Sequence, residues 1–184
     1  MSDSQPKPGE RAAAPRKRLS LKDQQALHKR WDLALNTLAI NVPYVAYLGM
    51  DFDRRGDELT AILPLQDKLI GNPLLPAIHG GVTAAFLEIT AVMTLSRLYL
   101  WEKLENGALD LDRLENGEVP RLPKTIDFTV DYLRSGLPRD SYARARIRRA
   151  GRRYASVHVE AWQADHTRLF AQATGHFLMP QKRD

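Results

Sequence analysis

The sequence predicts an α+β domain, an antiparallel sheet of about six strands with one long central helix to cover it. Three observations lead there. The second half of the chain holds successive segments in which apolar and polar residues alternate, the mark of strands with one covered face. From Gly80 to about Lys103 no proline intervenes and apolar residues run all round, which describes a buried helix. With 184 residues, 43% of them hydrophobic, the chain is long enough for one ordinary core.

The elements follow in order. Residues 21–40 place Leu27, Trp31, Leu35 and Leu38 three or four apart, an amphipathic helix with Ser20 as N-cap and Pro43 as its stop. Residues 45–65 read as two extended pieces around Arg55-Gly56-Asp57, a hairpin. Gly71, Pro73 and Pro76 make 66–78 a loop. In the long helix Ala84, Leu87, Ala91, Leu95 and Leu98 recur at helical spacing. Residues 105–123 are a polar connection with Asn-Gly turns at Asn106 and Asn116. Strands are expected at 124–134, 141–150, 154–162 and 168–179. Ser135 to Pro138, Gly151-Arg152 and Ala164 to His166 supply the turns between them. In the first of these strands Ile126, Phe128, Val130 and Tyr132 share one face, and Thr125, Asp127, Thr129 and Asp131 the other. A hairpin centred near Leu137 would set Arg144 against Asp131 and Arg148 against Asp127.

Composition narrows the function classes. Residues 1–20 hold five Lys/Arg against two acidic residues and are rich in proline and alanine, a leader expected to be disordered ahead of one domain at 21–184. It lacks the apolar stretch of a secretory signal. Over half of the +5 net charge sits in it, so basicity argues little for a nucleic-acid partner, and none is expected. No apolar run is read as reaching the ~18 residues of a membrane span, so no membrane partner is expected. The absence of cysteine excludes disulfides, thiolate metal sites and a cysteine nucleophile. It fits a reducing cytoplasm.

One stretch carries chemistry: HGGVTAAFLE, residues 79–88. The first-turn N–H groups of a helix have no intrahelical partner, and without a Cβ a ligand can approach that backbone closely. Partial positive charge there favours a developing oxyanion. Gly80 and Gly81 therefore suit an oxyanion site, or they serve only a tight entry into the helix. Glu88 stands among Ala84, Ala85, Phe86, Leu87, Ile89, Ala91 and Val92. A carboxylate on a helix buried all round is costly unless something uses it, as a general base or nucleophile would be used. The alternative is a narrow solvated stripe shared with Thr94 or Arg97. Gly80 and Glu88 are eight residues apart, roughly 12 Å along a helix, whereas catalytic contacts need ~3 Å. Two antiparallel copies of the helix would bring the Gly80 end of one to Glu88 of the other, which points to a dimer with shared sites.

These residues bear a resemblance. HGGVTAAFLE, preceded by IGNPLLPAIHGG and followed by a sheet containing DFTVDYLRSG, resembles the hotdog-fold acyl-CoA thioesterases of the phenylacetate-pathway type over roughly residues 42–179. It is most specific at His-Gly-Gly with a carboxylate nine positions after the histidine. The resemblance implies a long helix wrapped by a curved sheet, and a homodimer or dimer of dimers joined edge to edge. It implies that the Gly80 N–H polarises the thioester carbonyl, that Glu88 is base or nucleophile, and that Asn72 is the asparagine ahead of the histidine. It implies no metal or redox cofactor, because coenzyme A belongs to the substrate. The loop after Asn72 is about one residue longer than the family's and has Pro76 where glycine is common.

His79 holds the turn through a ring hydrogen bond or touches substrate, and Gly81 lies beside it. His158, Glu160 and His166 straddle a turn and read as outer-face residues rather than metal ligands; His176 is a core or rim histidine. The arginine-rich 144–153 segment has three readings: cross-strand pairing, nucleic-acid binding without the interleaved aromatics that stacking needs, or contact with coenzyme A phosphates. For the last, Arg134, Arg148 and Arg153 are the candidates. Two rivals remain. A hydroxyacyl-thioester dehydratase of the same fold would need a histidine about fourteen residues before the glutamate, where Leu74 stands. A non-catalytic acyl-CoA-binding protein would keep the pocket without needing Glu88.

Overall fold

The computed structural model describes residues 20–105 and 109–180, so the expected basic leader and the Asn106-Gly107 turn lie outside the described residues. The elements run α1 (Leu21–Asn41), α2 (Pro43–Leu48), β1 (Asp51–Arg55), β2 (Glu58–Leu63), a 3₁₀ turn (Asp67–Leu69), α3 (Gly80–Glu105), α4 (Leu111–Glu115), β3 (Lys124–Tyr132), β4 (Ser141–Ala150), β5 (Tyr154–Trp162) and β6 (Ala171–Leu178). The six strands form one sheet in the order β1-β2-β4-β5-β6-β3, with every neighbouring pair antiparallel. This is the expected α+β hotdog architecture.

The sheet closes on α3 because its inner face is built of small side chains. Ala143, Ala155, Val157, Val159, Ala161, Ala171 and Ala173 are buried against Phe86, Leu87, Ala91 and Leu95 of the helix. Each large side chain so buried contributes about 1.5–3 kcal/mol. Gly80–Leu98 is in fact long and apolar enough to cross a membrane by length and composition, contrary to expectation. Half of that window is buried inside the fold, and it carries Glu88 and Arg97. It is the core helix. On its far half α1 packs through Trp31, Leu35 and Leu38, with Trp31 edge-on to Trp101 at 5.7 Å.

Three further expectations are corrected. Pro43 does not simply end a helix; it begins α2, since a proline at the first helical position gives up an N–H that would be unpaired anyway. Residues 45–48 are therefore helical rather than extended, and α2 ends at Gly49 with φ 66°. There Gln66 Nε2 donates to Leu48 O at 2.8 Å, and an added Cβ on Gly49 would lie 2.5 Å from that nitrogen.

The second correction is topological. β3 and β4 are not a hairpin: among the described residues β3 lies on the sheet edge paired only with β6, three strands away. Phe128 sits over Gly175, whose missing Cβ would be 2.4 Å from the ring, so that pairing has a fitted socket. Asp127 then meets His176 at 2.9 Å and Asp131 meets Gln172 at 3.0 Å, while Arg144 reaches Glu58 at 2.9 Å and Thr60 at 2.8 Å. Asp127, Asp131 and Arg144 thus each meet a cross-strand partner other than the one expected, and Arg148 does not face Asp127. The third correction is a bulge between Thr125 and Asp127. It turns Ile126 outward, 54% exposed, and sets Thr125 on the inner face with Phe128, Val130 and Tyr132.

Candidate active site

The loop before α3 is a small knot of backbone bonds. Gly71 N–H donates to Ala77 O at 2.9 Å, and His79 N–H to Leu69 O at 2.8 Å. Ile78 N–H donates to Gly136 O at 2.8 Å, in the segment after β3. Gly71 is required here, because a Cβ would lie 2.8–2.9 Å from His79. Asn72 is exposed on the loop, and its Oδ1 accepts the Leu74 N–H at 2.9 Å and the Leu75 N–H at 3.4 Å. The side chain caps its own turn.

His79 Nδ1 accepts the Gly81 N–H at 3.0 Å, which leaves the ring proton on Nε2. The ring thus holds the turn and occupies the Gly81 donor, so Gly81 lines the site without donating into it. A Cβ on Gly81 would crowd Nδ1 at 3.0 Å, so that glycine has a packing reason. Gly80 has none of this kind: its φ is not positive, and a Cβ would meet only the Tyr132 ring at an ordinary 3.6 Å. Its N–H has no acceptor among the described residues and is exposed. A donor that the fold leaves free, on a residue that the fold does not need to be glycine, is what an approaching ligand would require.

Glu88 lies on the flank of α3 that faces β3, half-buried rather than enclosed, because β3 is the sheet edge and no strand among the described residues lies further out. Thr125 Oγ1 donates to Glu88 Oε1 at 2.5 Å. Arg97 is on the opposite flank of the helix, held by Asp57, so no shared charged stripe accounts for Glu88. At the other end of β3 the Tyr132 hydroxyl donates to Gly80 O at 2.9 Å. Gly80 and Glu88 therefore belong to opposite ends of one edge strand, and a single chain does not bring them to one carbonyl. Thr125 and Tyr132 were not singled out by sequence. Strict alternation puts them on opposite faces, and only the bulge aligns them.

The candidate cations are divided the same way. Arg134 is exposed just beyond Tyr132, on a cavity of about 180 Å³ shared with Arg139, Gln163 and Asp165. The Thr167 backbone N–H and hydroxyl hold the Asp165 carboxyl below the usual carboxylate range, so that rim is mixed in sign. Arg148, at a bulge in β4, and Arg153 are exposed at the opposite end of the sheet. They lie in the rows that lead through Tyr154 and Leu178 to Lys124, beside Thr125. A cavity of about 430 Å³ opens there, lined by Arg121, Leu122, Lys124, Leu178, Met179 and Pro180. A space of similar size, about 440 Å³, lies elsewhere, between Trp31, Trp101, Arg54 and Arg97. No group of three His, Asp or Glu side chains among the described residues is placed to hold a metal. His158 stands 3.7 Å from Glu160, and His166 4.0 Å from Asp165.

Comparison with known proteins bears on this arrangement. The chain is 29% identical over 142 residues to the medium/long-chain acyl-CoA thioesterase YigI of Escherichia coli, covering 76% of this chain and 86% of that one. A Chromobacterium violaceum crystal structure aligns at 29% identity and TM-score 0.58, covering 86% of this chain and 99% of its own. A Shewanella oneidensis protein related to the thioesterase superfamily aligns at 25% identity and TM-score 0.61, covering 88% and 100%. A phenylacetic acid degradation-related protein of Ralstonia eutropha shares the fold at 20% identity and TM-score 0.55, covering 75% and 90%. The thioesterase-superfamily profile matches residues 75–170, from the loop before His79 through β5. With that match across half its length and this fold beneath it, the chain belongs to the thioesterase superfamily and is a thioester hydrolase.

Proposed function

We propose that the protein hydrolyses acyl-CoA thioesters to a free acid and coenzyme A, at sites that two copies complete together. The observation that carries this is the placement of a free Gly80 N–H and a half-buried Glu88 at opposite ends of the open-edged strand β3. An antiparallel pairing of β3 with a second copy, Thr125 opposite the partner's Tyr132, brings each Glu88 to the partner's Gly80. The same pairing covers the open flank of Glu88 and satisfies an exposed nine-residue edge.

In such a site the Gly80 N–H hydrogen-bonds the thioester oxygen as it gains charge. Glu88 either takes a proton from water, which adds to the carbonyl carbon, or adds to it directly, forming an anhydride that water then opens. In both cases the C–S bond breaks and the coenzyme A thiolate leaves and is protonated. Asn72 orders the loop ahead of this donor. Arg134, Arg148 and Arg153 are candidates for the phosphates of coenzyme A, and no further cofactor is called for. YigI's medium/long-chain class is where an acyl-chain screen begins. A cysteine-free chain suits a cytoplasmic site of action.

The test is a panel of short, long and aromatic acyl-CoAs, assayed with the wild type and Glu88→Gln, together with the mass in solution. Hydrolysis by the wild type and its collapse in the variant support the mechanism. An equally fast variant refutes it, and a fully active monomer refutes the shared site. Binding without hydrolysis by either protein would make this a binding module.

A further inference from the structure

We infer that Tyr132 is a positioning residue for the oxyanion donor, acting through the Gly80–Gly81 peptide; this rests on the thioesterase reading above. That one peptide unit is gripped from both sides. Its oxygen, Gly80 O, accepts the Tyr132 hydroxyl at 2.9 Å. Its N–H, on Gly81, is taken by His79 Nδ1 at 3.0 Å. A peptide is planar, so holding its oxygen and its hydrogen fixes the plane about which Gly80 turns. The preceding peptide is held only at its carbonyl, where His79 O accepts the Thr83 N–H at 3.0 Å. Its own N–H, on Gly80, is left without an acceptor among the described residues.

The clamp is needed because of the residue type. Two consecutive glycines have the widest backbone freedom of any pair, and an unheld first turn would let the Gly80 N–H swing away from the carbonyl it must meet. A donor is worth its full effect only when its direction is set before charge develops. Tyr132 reaches Gly80 from the strand whose other end holds Glu88 through Thr125. One strand thus orients the oxyanion donor of one site and the carboxylate of the other.

The experiment is Tyr132→Phe, which keeps the ring over Gly80 and removes only the hydroxyl. Expected are a kcat lower by about tenfold, less than the 10²–10³ that follows outright loss of a donor, a KM within about twofold, and an unchanged melting temperature. Amide hydrogen exchange at Gly81 should quicken in the variant while exchange at Thr83 stays the same. Wild-type kcat in Tyr132→Phe overturns the inference, as does a fall in kcat matched by a rise in KM and a loss of thermal stability. If the wild type hydrolyses no thioester, the functional reading has failed instead. Gly81 exchange then decides the clamp alone, and an unchanged rate overturns it.

Discussion

The two ends of β3 hold the two halves of the proposed site by different means. At the Tyr132 end the proposed donor is backbone, and many bonds secure it: Leu69, Gly136 and His79 all give carbonyl acceptors to the segment 78–83, and the Tyr132 hydroxyl and His79 ring hold the Gly80–Gly81 peptide. At the Thr125 end the working group is a side chain held by one hydroxyl, open on the side that the sheet does not cover. A site made of backbone withstands most side-chain changes and is weakened only by those that fill its space or remove a group that holds it. A site made of one carboxylate and one hydroxyl fails at either residue.

That contrast orders the expected effects. Glu88→Gln should fall furthest, by about 10³-fold in kcat with the fold intact, in the range of a lost base or nucleophile; circular dichroism and steady-state kinetics check it. Gly80→Ala should lose about a hundredfold. An alanine there meets only ordinary contacts, and in a helix it is worth about 0.5–1 kcal/mol over glycine, so the melting temperature should hold or rise. Loss of activity with loss of stability would show that the glycine serves the fold after all. Thr125→Val should cost about tenfold and Thr125→Ser should recover it, because only the hydroxyl is at issue. If valine is as active as threonine, Glu88 is positioned by something other than this bond.

The smallest effect separates the ends by charge. Arg148→Glu with Arg153→Glu should raise KM for an acyl-CoA several-fold and leave an acyl-N-acetylcysteamine, which has no phosphates, unchanged. Arg134→Glu, beside Asp165, should do less. Equal effects on both substrates would remove the phosphates from the explanation.

Much of this was legible in the chain. The long apolar helix, the alternating strands and the His-Gly-Gly entry with its carboxylate nine positions after the histidine are local patterns, set by the 3.6 and 2.0 periods and by glycine chemistry. The proposed division of the site also comes from residue spacing, since helix rise alone keeps Gly80 and Glu88 apart. The pairing of β3 was not legible. The short link after Tyr132 suggested a hairpin, while the fold sends that strand to the far edge, where Gly175 leaves room for Phe128.

The sequence by itself determined the two long helices, the six strands and the identity of the oxyanion and carboxylate candidates, because each is written in a run of neighbouring residues; the short helices α2 and α4 were not legible. The tertiary structure alone decided which strand runs beside α3, and that one bulged residue, Ile126, turns Thr125 inward to share a face with Tyr132. A bulge inverts the facing of every residue on one side of it, and its place is chosen by the strand it pairs with. On that partner, β6, the residue beside the bulge is His176, 49 positions beyond Asp127 and out of reach of any local pattern.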